Sequence, residues 1–138
     1  MGLAIDPANS QTMYATASDG PHGVYKSVDG GNTWLPSSNG IPDYANVAWN
    51  DSLAFEPESS DTLYVATEQG VYKTVDSGQT WTKKSTIVEG DSEELIQAWS
   101  MTISPADGTL FVGGYDNPMG GGAGGGIFRS RDGAETWG

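Results

Sequence analysis

Apolar residues along the chain fall in short runs bounded by Gly, Pro, Asn, Asp and Ser, without a sustained helical period. That pattern predicts short β-strands joined by tight turns. The runs also repeat. Gly23-Val24-Tyr25-Lys26-Ser27-Val28-Asp29-Gly30-Gly31-Asn32-Thr33-Trp34 aligns with Gly70-Val71-Tyr72-Lys73-Thr74-Val75-Asp76-Ser77-Gly78-Gln79-Thr80-Trp81, 47 residues on. A third copy, Gly126-Ile127-Phe128-Arg129-Ser130-Arg131-Asp132-Gly133-Ala134-Glu135-Thr136-Trp137, follows 56 residues later. Upstream of the three lie Leu3-Ala4-Ile5-Asp6-Pro7, Leu53-Ala54-Phe55-Glu56-Pro57 and Met101-Thr102-Ile103-Ser104-Pro105. Each is followed by a short polar turn and a second run: Thr12-Met13-Tyr14-Ala15, Thr62-Leu63-Tyr64-Val65 or Thr109-Leu110-Phe111-Val112. Ala48-Trp49 and Ala98-Trp99 recur 50 residues apart.

Each repeat therefore reads as four strands, A to D, expected near 3–5, 12–17 and 24–28 in the first copy, with strand D beginning at Thr-Trp. Strands A and B are apolar on both faces, as a sheet between two neighbours requires. A four-stranded unit of about 40–50 residues in tandem is the pattern of a β-propeller blade. The expected fold is all-β: a partial β-propeller over 1–138, with blade 1 about 1–40, blade 2 about 48–90, and blade 3 about 98–138 and incomplete. Three blades do not close a ring, so the expectation is a piece of a longer propeller or copies that assemble, two of them giving six blades. Asp91-Ser92-Glu93-Glu94-Leu95-Ile96-Gln97 is the one helix candidate, through the capping-box spacing of Asp91 and Glu94. The segment 113–126 holds eight glycines and reads as a spacer or a ligand-facing loop.

Charge and composition narrow the chemistry. A formal net charge of −12 over 138 residues disfavours nucleic acid and anionic membrane as partners. The absence of cysteine and the single histidine, His22, exclude a disulfide framework, a thiolate nucleophile and a multi-histidine zinc site, so neither metal nor cofactor is expected. His22 reads as a turn residue. No apolar run approaches the roughly 18 residues of a membrane span. No signal-peptide pattern opens the chain.

The element Ser/Thr-x-Asp-x-Gly-x-Thr-Trp resembles the Asp-box of bacterial neuraminidase-type repeats. It comprises Ser27, Asp29, Gly31 and Trp34; Thr74, Asp76, Gly78 and Trp81; and Ser130, Asp132 and Trp137, where Ala134 replaces the glycine. The resemblance implies a C–D turn. There the Asp can accept bonds from its own backbone, the glycine supplies positive φ, and the indole is buried between strands. The three aspartates thus read as turn residues and not as catalytic acids. Gly31 and Gly78 should have positive φ, and the second box must use Gly78 because Ser77 stands where the first has Gly30. Ala134 should be strained, or its turn differently built. Trp34 and Trp81 should be deeply buried, Trp137 less so.

The resemblance implies a ligand site on the face opposite such boxes. The segments that vary in length, 35–50, 82–96 and 113–126, lead to that face, where function usually resides. Nine of the 18 acids map there: Asp19, Asp43, Asp51, Glu68, Glu89, Asp91, Glu93, Glu94 and Asp116. With Lys83 and Lys84 read as part of strand D, no Lys or Arg falls in those loops, so an anionic ligand lacks a counter-charge while a neutral glycan is not penalised. The two arginines, Arg129 and Arg131, sit at the third box, so a complete sialidase site is not expected.

The Tyr-Ala-Thr…Asp/Glu…Gly-Val-Tyr pattern resembles family-74 glycoside hydrolases, the endoxyloglucanases, and also sortilin-type and photosystem-assembly-factor propellers. The hydrolase resemblance implies a catalytic Asp in a B–C hairpin. Glu68 is the nearest match and Asp19 the next; the alternative for each is a turn carboxylate. Hydrolysis needs two carboxyls about 5–9.5 Å apart, and the family's second one belongs to a second propeller. Trp49 and Trp99, with Tyr44 and Tyr115 beside them, read as inter-blade packing or as sugar-stacking platforms. The functional expectation is a fragment or module of an extracellular or periplasmic glycoside hydrolase acting on neutral polysaccharide. The alternative is a non-catalytic propeller scaffold binding a protein or glycan ligand.

Overall fold

A computed structural model describes residues 2–17, 23–42, 53–84, 86–89, 92–117 and 124–138. They form three four-stranded antiparallel sheets, without a helix among the described residues. The first contains β1 (Leu3–Ile5), β2 (Met13–Ala17), β3 (Gly23–Ser27) and β4 (Leu35–Pro36). The second contains β5 (Leu53–Phe55), β6 (Leu63–Thr67), β7 (Gly70–Thr74) and β8 (Thr82–Lys83). The third contains β9 (Thr86–Glu89), β10 (Ser92–Ile103), β11 (Leu110–Asn117) and β12 (Gly124–Ser130), in the order β12-β11-β10-β9.

Register is shared across the sheets. Tyr14 lies between Ala4 and Lys26, Tyr64 between Ala54 and Lys73, and Phe111 between Thr102 and Arg129. Even the strand-D pairing recurs. Lys26 pairs with Leu35 and Lys73 with Thr82, while Arg129 and Gly138 exchange both backbone bonds, at 2.8 and 3.0 Å.

Two cores separate the sheets. Tyr14 and Val24 pack with Leu53, Leu63, Val65 and Tyr72, while Tyr64, Ala66 and Val71 pack with Met101, Leu110 and Val112. The second sheet supplies both of its faces, which explains why its strands are apolar at successive positions. Every residue of β6 is buried, whereas in β2 only alternate residues are.

Two expectations are corrected in the third sheet. The helix candidate 91–97 lies largely in β10, where Leu95, Glu94, Glu93 and Ser92 pair with Thr86 to Glu89 of β9. A capping signal over one turn cannot pay for helix nucleation, while the β-branched Thr86, Ile87 and Val88 offer strand partners. The glycine-rich segment is not a spacer over its described length: β11 and β12 pair continuously from Gly113↔Ile127 to Asp116↔Gly124. A Cβ at 113 would lie 2.8 Å from Ser100 Oγ, so a larger residue there requires that hydroxyl to turn aside. The third sheet therefore extends further than the others, at the end opposite its box.

Candidate functional site

Strand β7 runs from the β6–β7 turn, which carries Glu68, to the turn that carries Asp76, so these mark opposite ends of the sheet. The Asp end is built identically three times. The hydroxyls of Ser27, Thr74 and Ser130 donate to Oδ1 of Asp29, Asp76 and Asp132, at 2.8, 2.7 and 2.8 Å. The same hydroxyls accept from the N–H groups of Gly31, Gly78 and Ala134, at 2.9, 3.0 and 2.9 Å. Each Oδ1 also accepts the N–H of Thr33, Thr80 or Thr136, at 2.9, 2.8 and 2.9 Å. The hydroxyls of those threonines donate to Oδ2. These bonds, the threonine hydroxyl foremost, hold all three carboxyls down to about 2. Carboxylates so engaged are poor proton carriers near neutrality; their work is to hold the turn.

Gly31, Gly78 and Ala134 have φ of 89°, 80° and 71°, so the third turn is built like the others and Ala134 occupies the left-handed region. The second turn departs from expectation. Ser77 is left-handed at 58° as well as Gly78, matching Gly30 and Gly133 at 71° and 72°. Each turn thus needs two consecutive left-handed residues, and the second tolerates a serine.

The tryptophans differ by neighbour. Trp81 is 4% exposed, and its Nε1 donates to Ser37 O at 2.7 Å. Trp137 Nε1 donates to Lys84 O at 2.8 Å. Ser37 and Lys84 each lie three residues after the preceding sheet's tryptophan. Trp34 donates instead to Gly31 O of its own turn, at 3.0 Å, and is only partly buried. Its expected deep burial is therefore corrected: the carbonyl that would receive its indole belongs to a preceding sheet.

A second device between sheets escaped the sequence reading. Lys26 Nζ donates to Ser77 O, and Lys73 Nζ to Gly133 O, both at 3.0 Å. Each ammonium also lies over a tyrosine of its own sheet, Tyr14 at 5.3 Å and Tyr64 at 5.4 Å. Both acceptors directly follow a box Asp. The legible signal was the recurrence of a cation after Val-Tyr or Ile-Phe, with Arg129 in the third copy. A cavity of about 300 Å³ lies between the first two boxes, but its Lys26 and Ser37 are committed to bonds that join the sheets.

At the other end, Thr67 Oγ1 holds the β6–β7 turn by donating to Gly70 O at 2.8 Å and accepting the Gln69 N–H at 3.1 Å. Glu68 sits at its tip, partly exposed. Asp19, Trp49, Tyr44 and His22 lie outside the described residues. Trp99 occupies a β-bulge in β10, between Ala98 and Ser100, and is 52% exposed. The bulge lifts it out of the register that buries Ala98 and Met101, so inter-sheet packing does not bury it. Tyr115 lies in β11, paired with Gln97 and Gly125. Among the described residues, no group of three or more His, Cys, Asp or Glu could hold a metal ion, and no helix is long and apolar enough to cross a membrane.

No protein-family model matches the chain, and no curated protein does. Solved structures match. A GH74 enzyme of Niastella koreensis superposes with a TM-score of 0.72 at 26% identity, covering 99% of this chain and 20% of that one. An ancestral GH74 enzyme superposes with a TM-score of 0.71 at 19% identity, covering 98% of this chain and 17% of that one. The chain thus spans about a fifth of the length of these enzymes. With three blade-like sheets, one repeated register and this likeness, the chain is a partial β-propeller that resembles GH74 enzymes.

Proposed function

We propose that the chain is a propeller module of an extracellular glycoside hydrolase acting on neutral polysaccharide. The likeness to the Niastella koreensis GH74 enzyme over 99% of the chain carries this reading. Charge is compatible with it, since the β6–β7 turn that carries Glu68 holds no Lys or Arg to attract an anionic sugar. In this reading Glu68 is a candidate acid in a B–C turn, with Asp19 its alternative, and Trp99 is a stacking surface, with Trp49, Tyr44 and Tyr115 as further candidates. One carboxyl does not hydrolyse a glycoside; the second is supplied by the remainder of such a protein.

Affinity electrophoresis through xyloglucan and mixed-linkage β-glucan tests the module. Retardation is expected, weakened by Trp99→Ala, and unchanged mobility in every neutral polysaccharide would overturn the reading. In a longer protein carrying this segment, Glu68→Gln should abolish hydrolysis and retain binding. Full turnover by that variant would leave the second reading, a non-catalytic scaffold for glycan or protein. That reading is favoured by the engagement of all three box aspartates in their own turns.

A further inference from the structure

We propose that Asn39-Gly40 is a site of spontaneous covalent modification, where deamidation through a succinimide weakens the joint between the first two sheets. The inference is independent of the glycosidase reading. Asn39 is the one asparagine of the chain that glycine follows. The Gly40 nitrogen attacks Cγ of Asn39 and closes a five-membered imide. The Cγ–Nδ2 bond breaks, and Nδ2 leaves as ammonia, taking up the proton that Gly40 loses. Water then opens the ring. Attack at Cγ yields aspartate. Attack at the main-chain carbonyl yields isoaspartate, whose backbone runs through the side chain and is one methylene longer. Glycine favours closure because it places no Cβ beside the attacking nitrogen, and asparagine is among the thermolabile residues.

The structure sets this pair apart from the aspartyl-glycine pairs that can close the same imide. Gly30 N–H donates to Gln11 O at 3.0 Å, and the Asp29 carboxylate is held by the N–H and hydroxyl of Thr33. Gly108 N–H donates to Ser104 O at 2.9 Å, and Asp107 accepts the Thr109 N–H at 3.1 Å. Asp132 is held by Thr136 as Asp29 is by Thr33. Gly40 N–H, by contrast, makes no hydrogen bond among the described residues. The Asn39 amide makes one long bond, from Nδ2 to Gln79 O at 3.4 Å. Asn39 is exposed and lines the cavity between the first two boxes, where water reaches it.

The site also lies where the two sheets are joined. Trp81 N–H donates to Asn39 O at 2.8 Å, while the Trp81 indole donates to Ser37 O. Ile41, just beyond, is buried in the first core. The Gly40 backbone lies so close to Trp81 that a Cβ would stand 2.1 Å from its carbonyl oxygen. An extra methylene between residues 39 and 40 puts the Asn39–Trp81 bond and the seat of Ile41 out of step. The aspartate product turns an anionic acceptor toward the Gln79 carbonyl, where the amide had donated. Counted from the box tryptophan, the pair that corresponds to Asn39-Gly40 in the second sheet is Thr86-Ile87, which cannot close an imide. The chemistry therefore loosens one joint and leaves the next.

The test is to incubate the folded chain at mildly alkaline pH beside the same chain unfolded in urea. Peptide mapping by mass spectrometry, with isoaspartyl methyltransferase labelling, then locates the products. Aspartate and isoaspartate should form at position 39 of the folded chain ahead of any change at Asn9, Asn32 or the three aspartyl-glycine pairs. In urea denaturation the incubated chain should show a ratio of folded to unfolded molecules reduced by about 5–30-fold, the worth of one or two backbone bonds. Asn39→Gln, whose longer side chain has to close a six-membered ring, should keep its own starting midpoint over the same time. An Asn39 that stays intact in the folded chain while converting in urea would overturn the proposal. So would conversion that leaves the midpoint unchanged, or an equal loss in incubated Asn39→Gln.

Discussion

Gly31, Gly78 and Ala134 stand at one position of three similar turns, all with φ between 71° and 89°. Exchanging glycine and alanine there separates backbone strain from packing. A side chain held in the left-handed region costs roughly 1–2 kcal/mol, and that cost is common to the three sites. The available space is not. A Cβ on Gly31 would lie 3.5 Å from Met13 Sδ and 3.7 Å from the Trp34 ring, which is ordinary contact. On Gly78 it would lie 2.5 Å from Ser37 Oγ and 2.9 Å from the Tyr14 ring, where overpacking adds roughly 1–3 kcal/mol. Gly31→Ala should therefore cost about 1–2 kcal/mol and Gly78→Ala about 2–5 kcal/mol. In the third turn Lys84, at the position of Ser37, extends to Glu135 at 2.8 Å, and the Ala134 methyl is buried in the second core. Ala134→Gly relieves the strain but loses about 0.8 kcal/mol of methyl burial and roughly 0.4–1 kcal/mol through the freer unfolded chain. The two sides nearly cancel, so the slight gain that strain alone implies shrinks to about zero. Urea denaturation followed by far-UV circular dichroism reads all three. The packing argument fails if Gly78→Ala is no worse than Gly31→Ala, and the strain argument fails if Ala134→Gly costs as much as Gly78→Ala.

Trp81→Phe should cost about 1–3 kcal/mol by leaving the Ser37 carbonyl without its indole donor, while Trp34→Phe, which breaks only a bond within its own partly exposed turn, should cost less in the same assay. The box aspartates titrate near 2 in the folded chain and near 3.9 unfolded. Their stabilisation is complete above about pH 4 and lost as pH falls toward 2, so denaturation midpoints should drop through that window, and Asp76→Asn should shallow the drop. At the alkaline side burial, with Asp6, Asp61 and Asp76 nearby, pushes Tyr14 up to about 12, and burial with the Glu56 bond pushes Tyr64 up too. Both contribute stability that is whole below about pH 10 and lost as pH rises through their folded values. Tyrosinate absorbance should accordingly show two late-titrating groups, one of which Tyr14→Phe removes.

The strands and turns were legible because each repeat states them again: Leu3, Leu53 and Met101 share one role, and three Ser/Thr-x-Asp segments mark three turns. What was misread depends on partners remote in sequence. The seven residues from Asp91 to Gln97 carry a local helix signal, and only pairing with Thr86 to Glu89 and with β11 overrides it. Trp34 and Trp81 have the same local sequence, yet burial is decided by whether another sheet lies alongside. The Lys26 and Lys73 bonds were missed because their acceptors are backbone carbonyls, which no side chain announces. Ser77 shows the limit of a residue rule: a left-handed position favours glycine but does not demand it when the turn around it is fully bonded.

The architecture also constrains where a second carboxyl could come from. The five residues of β7 separate the Glu68 turn from the Asp76 turn, and at about 3.3 Å per residue that is about 17 Å of strand. Acid pairs in glycosidases stand about 5–9.5 Å apart. The Asp76 carboxyl is therefore too far from the Glu68 turn to be its partner, apart from being held by Thr74 and Thr80. By the shared topology Asp29 and Asp132 lie at the same far end of their own sheets. In the proposed hydrolase reading, a partner for Glu68 has to come from its own end of the sheets, from a connection there or from another part of a longer protein. Those connections include the segments whose length changes from repeat to repeat, while the boxes keep theirs. The Lys and Trp bonds that tie one sheet to the next thus lie toward the box end, away from the connections that change in length.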